Sequence, residues 1–188
     1  MTKRVLLAMG LFTLFGLGLL GIYLMKFVQH RNLSSVFADN NMLSQLTFGL
    51  AFGLIAGINA LIWIKSPLLR DTKTFFNNML EEMNIGYGMA IFMSFCAGVG
   101  EEILFRGAIQ HSLGLWPTSV LFVFIHGYLT PFNWRISIYG LLMVFISAGL
   151  GYLMIQKGIY AAMTAHFIFD VMLFFVMVKE MKGKESSI

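Results

Sequence analysis

Cysteine is nearly missing: the chain has one, Cys96, in 188 residues. That excludes an internal disulfide and any four-thiolate metal site. Charge is scarce too, with 12% of residues charged against 58% hydrophobic. A soluble domain is about one quarter charged and about half apolar, so this depletion is that of a membrane protein. The mean hydropathy of +0.79 agrees. The net charge of +4 comes without a basic block interleaved with aromatics, which leaves nucleic-acid binding without support. Internal repeats and low-complexity tracts are absent. Proline is limited to Pro67, Pro117 and Pro131, and all three fall between apolar segments, where a helix breaker belongs.

What the chain does have is long apolar runs. A membrane-spanning helix needs roughly 20 mainly apolar residues. Residues 5–25 carry no charge and follow Lys3 and Arg4. The run is too long for a signal peptide and no small-x-small cleavage site follows it, so an uncleaved span is expected. Residues 27–45 are more polar and include SSVFADNN. A second span is expected over 46–64, where Gly49, Gly53 and Gly57 recur at every fourth position and offer one face for close helix packing. Residues 66–84 differ. Phe75, Phe76, Met79, Leu80 and Met83 share one face, with Arg70, Asp71, Lys73, Glu81 and Glu82 elsewhere, the pattern of an interfacial amphipathic helix. Further spans are expected over 85–111, 118–129 (short for a span), 136–156 and 159–178. The expected fold is therefore an all-α membrane protein, a polytopic helical bundle of about six transmembrane helices plus one amphipathic helix.

With six spans, Lys3, Arg4, Lys65, Arg70, Lys73, Arg135, Lys179, Lys182 and Lys184 fall on one side and Lys26, Arg31 and Lys157 on the other. The richer side is expected to be cytoplasmic and to hold both termini.

Ionisable residues inside the spans are few: Glu101, Glu102 and Arg106 on the third, His126 on the fourth, His166 and Asp170 on the sixth. A charge at the centre of a span costs about 2.5–3.5 kcal/mol on insertion scales, so the four formal charges here total on the order of 10 kcal/mol before pairing. They need partners. Glu102 and Arg106 stand at i and i+4, one above the other, and can neutralise each other. Glu101 is rotated by about 100° and is left to face a cavity. Phe122 with His126, and His166 with Asp170, repeat the same spacing. Three helices thus each offer a polar stripe to one water-holding pocket.

The chain contains its own control in Glu81–Glu82, an acidic pair with no arginine one turn on, whose place on the amphipathic segment makes it a solvated face. His30 and His111, in a loop and at a helix end, read as solvated or interfacial. A lone histidine in a span more often makes a helix–helix hydrogen bond, and Glu102 with Arg106 alone reads as a structural pair. The conjunction of EExxxR, FxxxH and HxxxD on separate helices is what points to a site. From the residues alone, two carboxylates and two histidines can activate water directly. Alternatively, Glu101, His126 and His166 can hold zinc with one position left for water, although HExxH is absent. A serine-type protease would want GxSxG, whereas Ser147 lies in FISAG with Phe145 at the first glycine position. A transporter or proton relay uses similar residues, but no paired repeat accompanies them.

With these three motifs the sequence resembles the CAAX-protease and bacteriocin-processing family of intramembrane proteases, also called the Abi family, over roughly residues 89–178. Glu101, Glu102 and Arg106 match EExxxR, Phe122 and His126 match FxxxH, and His166 with Asp170 matches the last motif. The resemblance implies a membrane-embedded endopeptidase acting on a membrane-associated or prenylated CAAX-type protein or a bacteriocin-like peptide, in the cell membrane of a bacterium. It implies that Glu101 and His126 activate a water, that His166 with Asp170 binds the oxyanion, and that Glu102 and Arg106 fix the helix presenting Glu101. Family members often carry asparagine where this chain has Asp170. An ionised aspartate only accepts hydrogen bonds, so Asp170 would be protonated or would orient His166. No cofactor is the preferred expectation, with zinc as the alternative. A non-catalytic scaffold or immunity protein of the same fold, or a small proton-coupled transporter, are the competing functions. The expected organisation is an N-terminal part over 1–84, a protease-like core over 85–180 and a polar tail over 181–188.

Overall fold

The structure, a computed structural model, describes residues 2–38, 41–83 and 85–185, and every regular element among them is helical. In chain order these are α1 (Lys3–Val28), α2 (Met42–Ile64), α3 (Arg70–Met83), α4 (Tyr87–Leu113), α5 (Leu115–Ile125), α6 (Trp134–Gln156) and α7 (Ile159–Glu185). A single helical turn, Leu33–Val36, interrupts the first connection. Five of the helices, all but α3 and α5, are long and apolar enough to cross a membrane. Large apolar side chains such as Phe12, Ile55, Ile62 and Phe145 point out of the bundle, as lipid-facing helices require. The protein is a polytopic helical membrane bundle.

Close contacts between helices give their directions. Arg106 meets Ser147 and Gln110 meets Gly151, so α4 and α6 run parallel. Glu102 meets His166 and Gly107 faces Ile159, so α7 runs opposite to both. Gly10 packs on Phe92 and Gly21 on Ile103, which makes α1 parallel to α4. Gly49, Gly53 and Gly57 lie against Ala161, Ala165 and Met172, which makes α2 parallel to α7. Because α4 and α6 are parallel, residues 114–133 must return across the bundle between them.

Here the structure differs from the expectation of six spanning helices. The fourth crossing is an 11-residue helix, α5, about 16 Å long, followed by an irregular stretch from His126 to Asn133. That is half of a hydrocarbon layer of about 30 Å. Non-helical backbone at this depth is tolerated where it is bonded internally or lines a cavity. Both conditions are met. Thr130 N–H donates to Ser137 Oγ at 3.0 Å, and Ser137 O–H donates to Thr130 O at 2.6 Å. Gly127, at φ 77°, makes the turn out of α5, and Asn133 caps α6 by accepting from the N–H groups of Arg135 and Ile136.

Six crossings place the N-terminal start of α1 and the C-terminal end of α7 at the same end of the bundle. That end also holds Lys65, Lys179 and the α3 residue Lys73, whose ammonium is 2.8 Å from Glu180 on α7. On α3, Glu81 and Glu82 are exposed and Thr72 is buried. The side chains of Phe75, Phe76, Met79 and Leu80, most of its expected apolar face, lie outside the described residues.

The glycine stripe of α2 is a packing device. A Cβ on Gly49 would lie 2.5 Å from the carbonyl oxygen of Ala161, and one on Gly53 would lie 2.6 Å from that of Ala165. Gly98 and Gly100 play the same part on α4. Gly98 faces the α7 backbone at Met163 and Phe167, and Gly100 meets the carbonyl of Thr13 on α1. These contacts bring α1, α4 and α7 close enough to bury the charges of α4.

Candidate active site

From Ile103 to Ile109 the helix α4 widens, so that the Gln110 N–H bonds back to the carbonyl of Phe105. Wide turns of this kind frequently sit at functional sites. Glu102 and Arg106 flank the start of this stretch and are 0% and 2% exposed. Arg106 Nε lies 3.3 Å from Glu102 Oε2, while Arg106 Nη2 donates to Ser147 Oγ (3.0 Å) and to the Ser147 carbonyl (3.3 Å) on α6. The other oxygen of Glu102 accepts from His166 Nδ1 at 2.8 Å. One buried ion pair thereby ties α4 to α6 and α7. Buried charge without such partners would oppose folding.

Glu101, one residue earlier, points elsewhere. Its side chain is 13% exposed and its Oε2 is 3.5 Å from His126 Nε2. His126 is the first residue beyond α5, and its Nδ1 sits 2.6 Å from the carbonyl oxygen of Phe122. A carbonyl only accepts, so Nδ1 carries the proton and donates. In the neutral ring Nε2 then keeps its lone pair, directed at Glu101. The FxxxH spacing therefore sets a tautomer through the backbone of Phe122. The Phe122 ring contributes as well. It lies 4.9 Å from the Arg106 guanidinium, 4.4 Å from the His126 ring and 5.8 Å from the His166 ring. His166 Nε2 is 3.6 Å from Asp170 Oδ2.

Glu101, His126, His166 and Asp170 line one cavity of about 250 Å³. Liquid water occupies about 30 Å³ per molecule, so several fit. The walls are largely apolar, with Leu61, Val123, Met143 and Phe169 among them. The cavity runs on toward Lys65, Lys73, Asn77 and Glu180 at the end of the bundle that holds the termini. All six residues singled out in the sequence come together: Glu101 and His126 at the cavity, Glu102 and Arg106 behind it, His166 and Asp170 bridging the two. His30 and His111 are exposed and line no part of it.

Zinc would require three of these side chains as ligands. Among the described residues no three His, Cys, Asp or Glu side chains are arranged to hold a metal ion. His166 has one ring nitrogen on Glu102 and the other toward Asp170, so the set Glu101, His126 and His166 does not fit an ion as it stands.

Residues 84–172 match the model of a family described as type II CAAX prenyl endopeptidase Rce1-like. The matched segment is just under half of the chain, which is similar to that family there. The Rce1-like segment includes all six site residues and leaves α1 to α3 outside it. Uncharacterized protein YpbD of Bacillus subtilis (strain 168) is 38% identical over 82 residues, which are 43% of this chain and 41% of that protein. The match thus spans less than half of that relative. No solved structure matches the chain.

Several residues around the cavity carry no signal of their own in the sequence. Ser147 reads there only as a failed serine nucleophile. Its place follows from Arg106, which has five donors and needs an acceptor beyond Glu102 once buried. Tyr128 lines the cavity from the irregular stretch after α5, where no helical periodicity marks it. Tyr139 lines it from α6 and packs edge-on to Tyr128, with ring centroids 5.9 Å apart.

Proposed function

We propose that the protein is an intramembrane endopeptidase of the glutamate type, which hydrolyses a peptide bond of a membrane-associated or prenylated CAAX-type protein or a bacteriocin-like peptide. The observation that carries this reading is the pairing of Glu101 with the Nε2 face of His126 at the wall of a cavity that several waters fit. At 3.5 Å the two groups are loosely paired, and a water can donate a hydrogen bond to each. As its oxygen attacks the carbonyl carbon, the water gives a proton to the Glu101–His126 pair. The C–N bond then breaks as that proton passes to the departing amine. Glu102, Arg106 and Ser147 hold the helix that presents Glu101, and Asp170 orients His166. No metal takes part in this scheme. The apolar walls suit apolar substrate residues, and the cation-rich end of the bundle faces the cytoplasm of a bacterial cell.

The test compares membrane proteomes of cells with and without the protein. A fragment of a membrane-associated protein that is released only when the chain is present supports the reading. Cleavage of that protein by the purified chain should persist in full after treatment with a chelator. No difference between the proteomes, with the chain expressed and inserted, would contradict the reading.

A further inference from the structure

We propose that Gln29 and Arg31 are positioning residues of the site, which hold the wide turn of α4 open and so set where Glu101 lies against His126. The proposal rests on the endopeptidase reading above. Over Ile103–Ile109 the helix bonds at five-residue spacing. Passing back to the ordinary four-residue spacing skips a carbonyl, which then needs a donor from outside the helix. At that end of the stretch, donors come from the connection that follows α1. Arg31 Nη1 donates to the Gly107 carbonyl. Gln29 Nε2 donates to the Ala108 carbonyl and to Ser112 Oγ, both at 2.9 Å. Both amide hydrogens of Gln29 are thus spent on α4.

The end of α1 aims the two side chains. His30, between them, takes φ 51°, a left-handed conformation that is uncommon outside glycine but more open to histidine than to most residues. It closes the helix: the Arg31 N–H returns to the Met25 carbonyl at 2.8 Å, and the Gln29 N–H to that of Leu24 at 2.9 Å. The His30 side chain stays exposed, while Gln29 and Arg31 are half-buried. Met25 beside them is fully buried, and a Cβ on Gly107 would lie 3.2 Å from its sulfur. The end of α1 and its connection, outside the Rce1-like match, therefore grip the helix that carries Glu101, Glu102 and Arg106. Released, the wide stretch can relax to regular helix. That removes one residue of register and turns Glu101 by about 100° relative to Gln110. Gln110 is tied to Gly151 on α6, so the displacement falls on the carboxylates.

The test uses Arg31→Met, and Gln29→Met together with Arg31→Met, which remove the donors and keep the bulk. The whole chain in liposomes is assayed against a membrane-anchored peptide carrying the cleavage sequence found in the proteome comparison. Amide hydrogen exchange is followed separately, without the peptide. In the double variant kcat should fall about 10²-fold, the effect of displacing a reacting group by about 1 Å, with KM within about threefold of wild type. Exchange should quicken over residues 103–113 and stay as in wild type over α2 and α7. Arg31→Lys, which keeps a donor for the Gly107 carbonyl, should regain most of the kcat lost in Arg31→Met. Wild-type kcat in the double variant overturns the proposal. So does unchanged exchange over 103–113, faster exchange throughout the chain, or an Arg31→Lys no more active than Arg31→Met. If the wild-type chain cleaves nothing, the endopeptidase reading fails, and exchange over 103–113 still decides whether the clamp holds the turn.

Discussion

Glu101→Gln is expected to lower turnover by about 10²–10⁴-fold, the range for losing a positioned acid–base group, while the protein still inserts and folds. The change keeps the side chain's shape and its contact with His126, but an amide takes no proton from water. Folding should survive because Glu101 is not one of the buried partners. Its side chain is 13% exposed and its contact with His126 is long, at 3.5 Å. The variant is compared with wild type for cleavage of a membrane-anchored peptide and for its unfolding midpoint in detergent. Equal turnover would remove Glu101 from the chemistry, and a collapsed midpoint would make it structural.

Its neighbour should behave in the opposite way. Arg106→Met is expected to destabilise the protein by about 3–5 kcal/mol, the cost of leaving one member of a buried ion pair unpartnered. Glu102 is fully buried with Arg106 on one oxygen and His166 on the other, and without the guanidinium its charge has only the imidazole. The Ser147 hydroxyl and carbonyl lose their donor in the same stroke. Replacing both members, as Glu102→Leu with Arg106→Met, should cost less than the two single changes added together, because no orphaned charge remains. Unfolding in detergent measures all three variants. A single variant as stable as wild type would show that the network is not what holds α4 to α6 and α7.

The contrast between Glu101 and Glu102 was readable before any coordinates. Adjacent helical residues diverge by about 100°, and only Glu102 has an arginine one turn on. The helical spans, the helix of α3 and the glycine face of α2 were equally readable, because they depend on periodicity and local composition. Three features were not. The fourth crossing reads as a short span, since hydropathy cannot tell an 11-residue helix plus a bonded irregular stretch from a continuous helix. The second attachment of His166, to Glu102, joins residues 64 positions apart, and no local pattern encodes it. The motif HxxxD suggests Asp170 as the partner, yet the shorter contact, 2.8 Å against 3.6 Å, is with Glu102. Tyr128 escaped notice for a related reason: outside a helix, spacing carries no information about which way a side chain lies.

The central claim is that a water activated by Glu101 and His126 cuts a peptide bond, and isotope incorporation tests it most directly. The purified wild-type chain is placed in liposomes with a membrane-anchored peptide, in ¹⁸O-enriched water with a chelator present, and the products are read by mass spectrometry. The account predicts two fragments, with one ¹⁸O in the new carboxylate of the N-terminal fragment and no such product from Glu101→Gln. An intact peptide after incubation with the folded wild-type protein, or equal cleavage by the variant, would contradict it.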